Sequence, residues 1–168
     1  MKREDNVRFE TFDIKVGNKA VDFEKDMLPA LDGAYDTVLF LNVLEHIFNY
    51  QHIANEVVRI TKREGQLIGF VPFLMWYHPD HHDYFRYTHE ALSIIFSKAS
   101  DRSVIVEPIA HGPFIASTQM VSQLLPRPIA VLLFVMNYFL DTIYLRLRPK
   151  NTNRYLLGYV FSVRKNRN

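Results

Sequence analysis

Residues 35–47, YDTVLFLNVLEHI, decide the fold, because they form an almost continuous apolar run that ends in polar side chains. The first part, residues 35–43, is typical of a strand buried on both faces, as in a parallel sheet. Residues 50–63, YQHIANEVVRITKR, follow with apolar side chains at helical spacing. Gly65 is the expected helix stop, and residues 66–73, QLIGFVPF, form a second buried strand. Strand, helix and strand with short connections predict a right-handed βαβ unit and an α/β fold.

Further elements are predicted on both sides of this unit. Upstream, residues 7–13 and Ala20–Phe23 have the composition of strands, and residues 28–33 form a turn-rich loop. Downstream, the pattern predicts a helix, a strand, a helical insert broken by prolines and a last strand, over residues 89–97, 103–108, 113–147 and 155–163. The last strand is expected to pair antiparallel with the strand before the insert.

The composition excludes several classes of protein. A chain of 168 residues with 48% hydrophobic residues suffices for one domain with a real core. It has no cysteine, which excludes disulfide scaffolds, thiolate zinc sites and thiol catalysis. A formal charge of +2 does not favour nucleic-acid binding. The first ten residues have no apolar core, so we expect no secretory signal there.

Three segments resemble one enzyme family. Residues 35–47 resemble a hallmark of the class I S-adenosylmethionine-dependent methyltransferases, in particular the type 11-like branch with its VLEH ending. Residues 55–67 look like the helix and turn that follow in that family, with Glu64 and Gln66 in place of the usual proline and glycine. Residues 78–88, HPDHHDYFRYT, resemble a segment of a sugar- and lipid-associated subgroup.

The resemblance implies a fold for the whole chain. It predicts a Rossmann-like, mostly parallel sheet with helices on both faces, and ligands at the carboxyl ends of the strands. Residues 1–168 would form a single partial methyltransferase domain, with residues 113–150 as a helical apolar insert or lid before the last strand.

The resemblance also implies a cofactor, S-adenosylmethionine, and residues that hold it. Asp13, after the strand at Phe9–Phe12, matches the acidic residue that binds the ribose hydroxyls, and Asp26 matches the polar residue near the adenine amino group. Asn42 and Glu45 lie in the segment that faces the reacting methyl group. Three of them have a plainer alternative: Asp13 as a solvated strand end, Asp26 as a helix or turn cap, and Glu45 as the acidic start of a helix.

One part of the family pattern is missing from these residues. The family's first strand leads into a glycine-rich turn, but the glycines here are scattered at positions 17, 33, 65, 69, 112 and 158. We therefore expect an incomplete sheet whose strand from Thr37 to Val43 exposes an unpaired apolar edge. A homodimer or a partner chain could cover this edge, the chain being a fragment or one piece of a split protein. Alternatively, the Phe9 strand could pair there.

Residues 76–90, WYHPDHHDYFRYTHE, supply the candidate substrate site, with His78, Asp83, Tyr84 and Arg86 as binding residues. The alternative is that Asp83 and Arg86 pair with each other and brace the loop. A metal bound by His78, His81, His82 and Asp83 is disfavoured, because the spacing enforces no helical ligand pair. As general base for a hydroxyl acceptor, His78 is the first candidate and His46 the second.

Residues 129–147 are strongly apolar, and a basic stretch follows them. Asn137 and Asp141 argue against a transmembrane span. A lid over the sheet is the first interpretation; a dimer interface and peripheral membrane contact are the alternatives. The predicted function is methyl transfer from S-adenosylmethionine to a small acceptor such as a sugar or a lipid-linked glycan, in the cytoplasm or at its membrane surface. The alternative is a non-catalytic binding or accessory protein.

Overall fold

The computed structural model describes residues 8–12, 21–80, 82–151 and 154–164. These residues contain four strands and four α-helices. In chain order they are β1 (Tyr35–Leu41), α1 (Tyr50–Ile60), β2 (Thr61–Pro72), α2 (His89–Ala99), β3 (Ser103–Ala110), α3 (Pro113–Val121), α4 (Arg127–Leu147) and β4 (Leu156–Arg164). A 3-10 turn at Leu44–His46 lies between β1 and α1, and two more flank α4 at Ser122–Leu124 and Pro149–Asn151.

The four strands form one mixed sheet in the order β1-β2-β4-β3. β1 and β2 are parallel and are joined through α1, as the βαβ pattern predicts. β4 runs antiparallel to both β2 and β3, which confirms the predicted pairing of the last strand. The α/β fold class is confirmed, although parallel pairing among the described strands is confined to β1 and β2.

β1 lies at the end of this sheet, and no strand in the described ranges pairs with its outer side. Leu39 and Leu41 on this strand are 62% and 48% exposed. The expected open apolar edge is therefore present in the described part of the chain. An edge of this kind can pair with another strand.

The two upstream strands are not formed in the described residues. Residues 8–12 have no regular secondary structure, and Phe9 is 87% exposed, so its ring gains no burial from a sheet position. Residues 23–25 form a turn. Asp22 and Asp26 cause this turn, because their carboxylates accept hydrogen bonds from the backbone N–H groups of Glu24 and Asp22. The predictions of strands at 7–13 and Ala20–Phe23 are wrong for the described parts of these ranges, residues 8–12 and 21–23.

The junction of α1 and β2 also differs from the prediction. The helix ends at Ile60, and Thr61 already belongs to β2. Gly65 is not a helix stop but lies inside β2, next to an irregularity in the pairing with β1. A Cβ atom at Gly65 would lie 2.6 Å from the carbonyl oxygen of Asp36, so glycine is needed for this close approach.

The core lies between the sheet and helices α1 and α2. The rings of Phe96 on α2 and Phe161 on β4 stack with centroids 4.4 Å apart, and both side chains are fully buried. Leu67 and Leu92 are equally inaccessible. This core holds β1 and β2 in place, and their carboxyl ends carry the polar segments.

The predicted helical insert is present as the hairpin α3–α4. α4 buries only Asn137 and Asp141, so it does not pack over the sheet as a lid would. It is the one helix in the described ranges that is long and apolar enough to cross a membrane.

Candidate functional site

The site lies at the carboxyl end of β1, where the chain turns at Asn42. This residue has a left-handed backbone with φ of 51°, which asparagine tolerates better than most residues, and its side chain is exposed. Its N–H donates to the carbonyl oxygen of Phe70 on β2 at 3.0 Å. The turn directs the chain away from the sheet and into Leu44–His46.

Glu45 is the most unusual residue of this turn. It is completely buried, and neither carboxylate oxygen has a hydrogen-bond partner from another residue in the described ranges. Its backbone oxygen accepts from the N–H groups of Tyr84 and Phe85, which ties the turn to the loop after β2. Burial raises the pKa of the Glu45 carboxyl, while His46, His78 and Arg86 act in the opposite direction. A buried carboxylate without a hydrogen-bond partner suits a positively charged ligand.

Two histidines lie beside Glu45. His46 Nε2 is 3.7 Å from Glu45 Oε1, and the rings of His46 and His78 meet edge to face at 5.1 Å. The Nδ1 atoms of His46 and His78 lie 2.5 and 3.1 Å from the carbonyl oxygens of His82 and Trp76. A carbonyl oxygen only accepts, so Nδ1 carries the hydrogen in each neutral ring. Nε2 is then the basic nitrogen of both histidines.

One donor atom from each of Glu45, His46 and His78 lies within 4.8 Å of the others. Two imidazoles and a carboxylate could hold a divalent cation if they moved closer together. The same three groups could instead take a proton from an acceptor and offset a positive charge. This grouping differs from the sequence-based metal candidate, which had no Glu45.

Asp83 and Arg86 are paired with each other. The Arg86 guanidinium donates to both Asp83 oxygens at 2.5 and 2.8 Å, and its remaining Nη hydrogens reach the carbonyl oxygens of Phe85 and Trp76. Arg86 holds the pKa of the Asp83 carboxyl far below its usual range. Asp83 also accepts from the backbone N–H of His78 at 3.0 Å. The bracing role expected as an alternative is what the geometry shows, and it fixes His78.

Tyr84 presents an aromatic surface next to this pair. Its ring is 41% exposed, stacks on His82 at 5.1 Å and meets Phe48 edge to face at 5.5 Å. Phe48 is 64% exposed. The structure thus brings His46, His78, Asp83, Tyr84 and Arg86 together with Glu45 around one corner of the sheet.

Neither of the two predicted cofactor aspartates is placed at this cluster by the described residues. Asp13 falls outside the described residues. Asp26 is exposed, and its Oδ2 accepts from the backbone N–H of Asp22 at 3.0 Å, which is the turn-cap alternative. Its role near adenine remains a prediction.

Sequence reasoning missed two residues that hold the surroundings of the site. Glu24 accepts from the backbone N–H groups of Phe48 and Asn49, both at 2.7 Å, and so satisfies the start of α1. Arg59 on α1 bonds to Glu56 and also to the carbonyl oxygens of Leu28 and Ala30. The spacing of Glu56 and Arg59 on a helix was a detectable signal, whereas nothing pointed to Glu24.

Glu45→Gln is expected to stabilise the chain near neutral pH by about 1–3 kcal/mol. Because burial raises the pKa of Glu45 in the folded state, that state holds its proton more tightly than the unfolded chain. The wild-type free energy of unfolding therefore falls as pH rises through the raised pKa, and the amide removes this contribution. Urea unfolding of the wild type and of Glu45→Gln, repeated at pH values from acid to neutral, measures this difference in the free energy of unfolding.

The control is Glu107→Gln, the same chemical change at an exposed position. We expect it to leave the pH dependence unchanged. Identical pH profiles for wild type and Glu45→Gln would contradict the assignment of a raised pKa to Glu45.

Comparison with known proteins gives partial matches in sequence. Residues 5–69 match the family model described as a methyltransferase domain. An uncharacterized protein of Methanocaldococcus jannaschii is 50% identical over 44 residues, which is 26% of this chain and 19% of that protein. The chain thus spans about a fifth of the length of this curated relative.

Solved structures share the fold at low sequence identity. A chain of the complex between the Haloferax volcanii Trm112 methyltransferase activator and a methyltransferase matches with a TM-score of 0.51 and 17% identity, over 88% of this chain and 60% of that one. A SAM-dependent methyltransferase from Archaeoglobus fulgidus matches with a TM-score of 0.50 and 14% identity, over 81% and 62%. The [4+2]-cyclase SpnF matches with a TM-score of 0.50 and 15% identity, over 88% of this chain and 56% of that one.

This chain therefore spans less than two thirds of each of those structures. At these sequence identities the solved structures show a shared fold only. The similarity in sequence comes from the family model, which matches residues 5–69. The matched segment, residues 5–69, contains β1, Asn42, Glu45 and His46. Residues 5–69 therefore resemble a methyltransferase domain in sequence, and the described residues share the fold of the solved structures named above.

Proposed function

We propose that this chain takes part in methyl transfer from S-adenosylmethionine to a small acceptor, at the carboxyl ends of β1 and β2. The observation that carries the proposal is the buried Glu45, whose carboxylate has no hydrogen-bond partner from another described residue, beside His46 and His78. Glu45 and His46 lie in the segment that matches the methyltransferase family model. S-adenosylmethionine supplies a positively charged sulfonium whose methyl group a nucleophile can displace. The orphaned carboxylate of Glu45 fits a cation of this kind.

The histidines have a defined task in this proposal. The Nδ1–H of His78 is held by the carbonyl oxygen of Trp76, so Nε2 is available to accept the proton of an acceptor hydroxyl. Asp83 and Arg86 keep the His78 backbone in place. Glu45, once a cation lies beside it, has its pKa lowered again and balances that charge. Most of the acceleration comes from alignment of acceptor and methyl group.

The open edge of β1 bears on cofactor binding. Leu39 and Leu41 are exposed there, and the six glycines of the sequence are too scattered to form the family's glycine-rich turn. We propose that a further strand from outside the described residues covers this edge and strengthens cofactor binding.

A sugar or lipid-linked glycan is the acceptor class that the surface near His78 favours. Tyr84 and Phe48 are exposed aromatic rings, and aromatic faces pack well on sugar rings. The test is transfer of labelled methyl from S-adenosylmethionine to free sugars, lipid-linked glycans and small amines. Labelled glycan supports the acceptor; label on amines alone would refute it while leaving methyl transfer in place.

The second candidate is a protein that keeps the fold without methyl transfer. The scattered glycines favour it, and SpnF, which shares the fold, is named as a cyclase. The same labelling experiment separates the two. Cofactor binding without labelled product from any acceptor would favour this candidate.

A further inference from the structure

We propose that the α3–α4 hairpin binds an anionic membrane surface, with α4 lying in the plane of the interface rather than crossing the bilayer. This inference concerns the α3–α4 hairpin and does not depend on methyl transfer. Four observations support it: the exposure of α4, the internal pairing of its polar groups, the path of the chain and the placement of its charges.

The apolar side chains of α4 are exposed around much of the helix. Only 11% of its apolar window is buried, which distinguishes α4 from the core helix of a soluble protein. The side chains at least 47% exposed include Val131, Leu132, Phe134, Val135, Met136, Tyr138, Phe139 and Ile143. At 100° per residue they cover roughly 200° of the helix circumference. A protein groove usually engages one narrower stripe, whereas lipid can cover a surface this wide.

The two buried polar side chains of α4, Asn137 and Asp141, are hydrogen-bonded to α3. Asp141 is fully buried, and its carboxylate accepts from the N–H groups of Phe114 and Ile115 at 3.1 and 2.7 Å, at the start of α3. Asn137 donates to Thr118 Oγ1 at 2.7 Å. A Cβ atom at position 112 would lie 2.2 Å from Asp141 Oδ1, so Gly112 is needed for this contact.

Three hydroxyl groups of the hairpin are also hydrogen-bonded within their own helix. Ser117, Thr118 and Thr142 each donate to the carbonyl oxygen four residues earlier, at 2.7, 2.9 and 2.8 Å. Groups satisfied in this way do not need water, which a lipid environment does not supply.

The path of the chain excludes a span. Ala110, before the hairpin, pairs with Leu156, after it, so the hairpin leaves and rejoins the sheet at one place. α4 alone could cross a bilayer, because 21 residues extend about 31 Å. The chain would then have to cross back through α3 and the turn at Ser122–Leu124, which together reach only about 20 Å.

Basic residues lie at both ends of α4. Arg127 begins the helix, and Arg146, Arg148 and Lys150 lie at its C-terminal end and just beyond. Between Arg127 and Arg146 the one charged residue is the buried Asp141. Charges at both ends place both ends at the level of the lipid headgroups, which fits a helix lying flat. Anionic lipids of a cytoplasmic leaflet complement these cations.

The test is flotation of the purified full chain with phosphatidylcholine vesicles, with and without phosphatidylglycerol. We expect the partition coefficient to be at least about tenfold higher on the anionic vesicles, and this preference to shrink in R146Q/R148Q/K150Q. The double variant L132S/F139S is expected to lose roughly 100-fold in partitioning.

The matched control is L31S/I94S, which makes similar changes at exposed positions outside the hairpin and should bind like wild type. A wild-type chain that stays unbound with both vesicle types overturns the proposal. So does equal loss of binding in the two double variants. If the wild-type chain forms a dimer without vesicles and L132S/F139S dissociates that dimer, the apolar face of α4 binds a second copy of the chain instead.

Discussion

His78→Asn is expected to lower the turnover number for methyl transfer to a hydroxyl acceptor by about 10²–10⁴-fold. The variant loses the basic Nε2 atom. The Nδ2 atom of asparagine takes about the position of the histidine Nδ1, so it can still donate to the Trp76 carbonyl oxygen. Because His78 acts on the acceptor, binding of S-adenosylmethionine should change little. Initial rates with labelled cofactor, together with a cofactor titration, separate the two effects.

His89→Asn is the control for this substitution, since His89 is exposed, begins α2 and is not one of the three clustered residues. It should retain full turnover. Unchanged turnover in His78→Asn would contradict the role of general base. Abolition of wild-type activity by a chelator would assign Glu45, His46 and His78 to a divalent cation instead.

Phe161→Ala is expected to destabilise the chain by about 3–5 kcal/mol, a large part of the stability of a domain of this size. The Phe161 ring is fully buried, stacks on Phe96 at 4.4 Å and covers Gly69, where it occupies the space of a Cβ atom. Removing the ring leaves a cavity between the sheet and α2 that the backbone cannot close. Urea unfolding followed by circular dichroism measures the shift.

Val160→Ala on the same strand provides the comparison, because Val160 is only half-buried. We expect it to cost about 1 kcal/mol. Equal losses for the two variants would mean that the Phe96–Phe161 contact is not the centre of the core.

The central part of the fold was predictable because its periodicity is strong. The apolar run that became β1, the helical spacing of α1 and the apolar run of β2 each match one template, and together they predict the parallel pair. The antiparallel pairing of β3 and β4 was also predicted, although a long insert separates them.

Two predictions of secondary structure failed because local contacts determine the structure there more than amino-acid composition does. Residues 23–25 form a turn because Asp22 and Asp26 bond to the backbone, a contact that strand propensity does not register. Gly65 looked like a helix stop, since glycine often follows a helix, but it is needed for the close approach of β2 to Asp36. Such approaches depend on tertiary structure.

The candidate site was predictable in its parts and not in its assembly. Family resemblance pointed to Asn42, Glu45 and His46, and the polar loop pointed to His78. That Glu45 would be buried beside both histidines follows from the backbone bonds of Glu45 to Tyr84 and Phe85, which no sequence pattern announces. Asp141 likewise seemed a polar interruption of an apolar helix, but it caps the neighbouring helix.

Titration of S-adenosylmethionine into the purified chain, followed by calorimetry, tests the central claim most directly. We expect saturable binding with a dissociation constant below about 1 mM. S-adenosylhomocysteine should compete, and Glu45→Gln should weaken binding by about tenfold because it removes the buried carboxylate. The exposed Glu107→Gln should bind like wild type. Absence of saturable binding, or equal binding by Glu45→Gln, would contradict the assignment of this cluster to the cofactor.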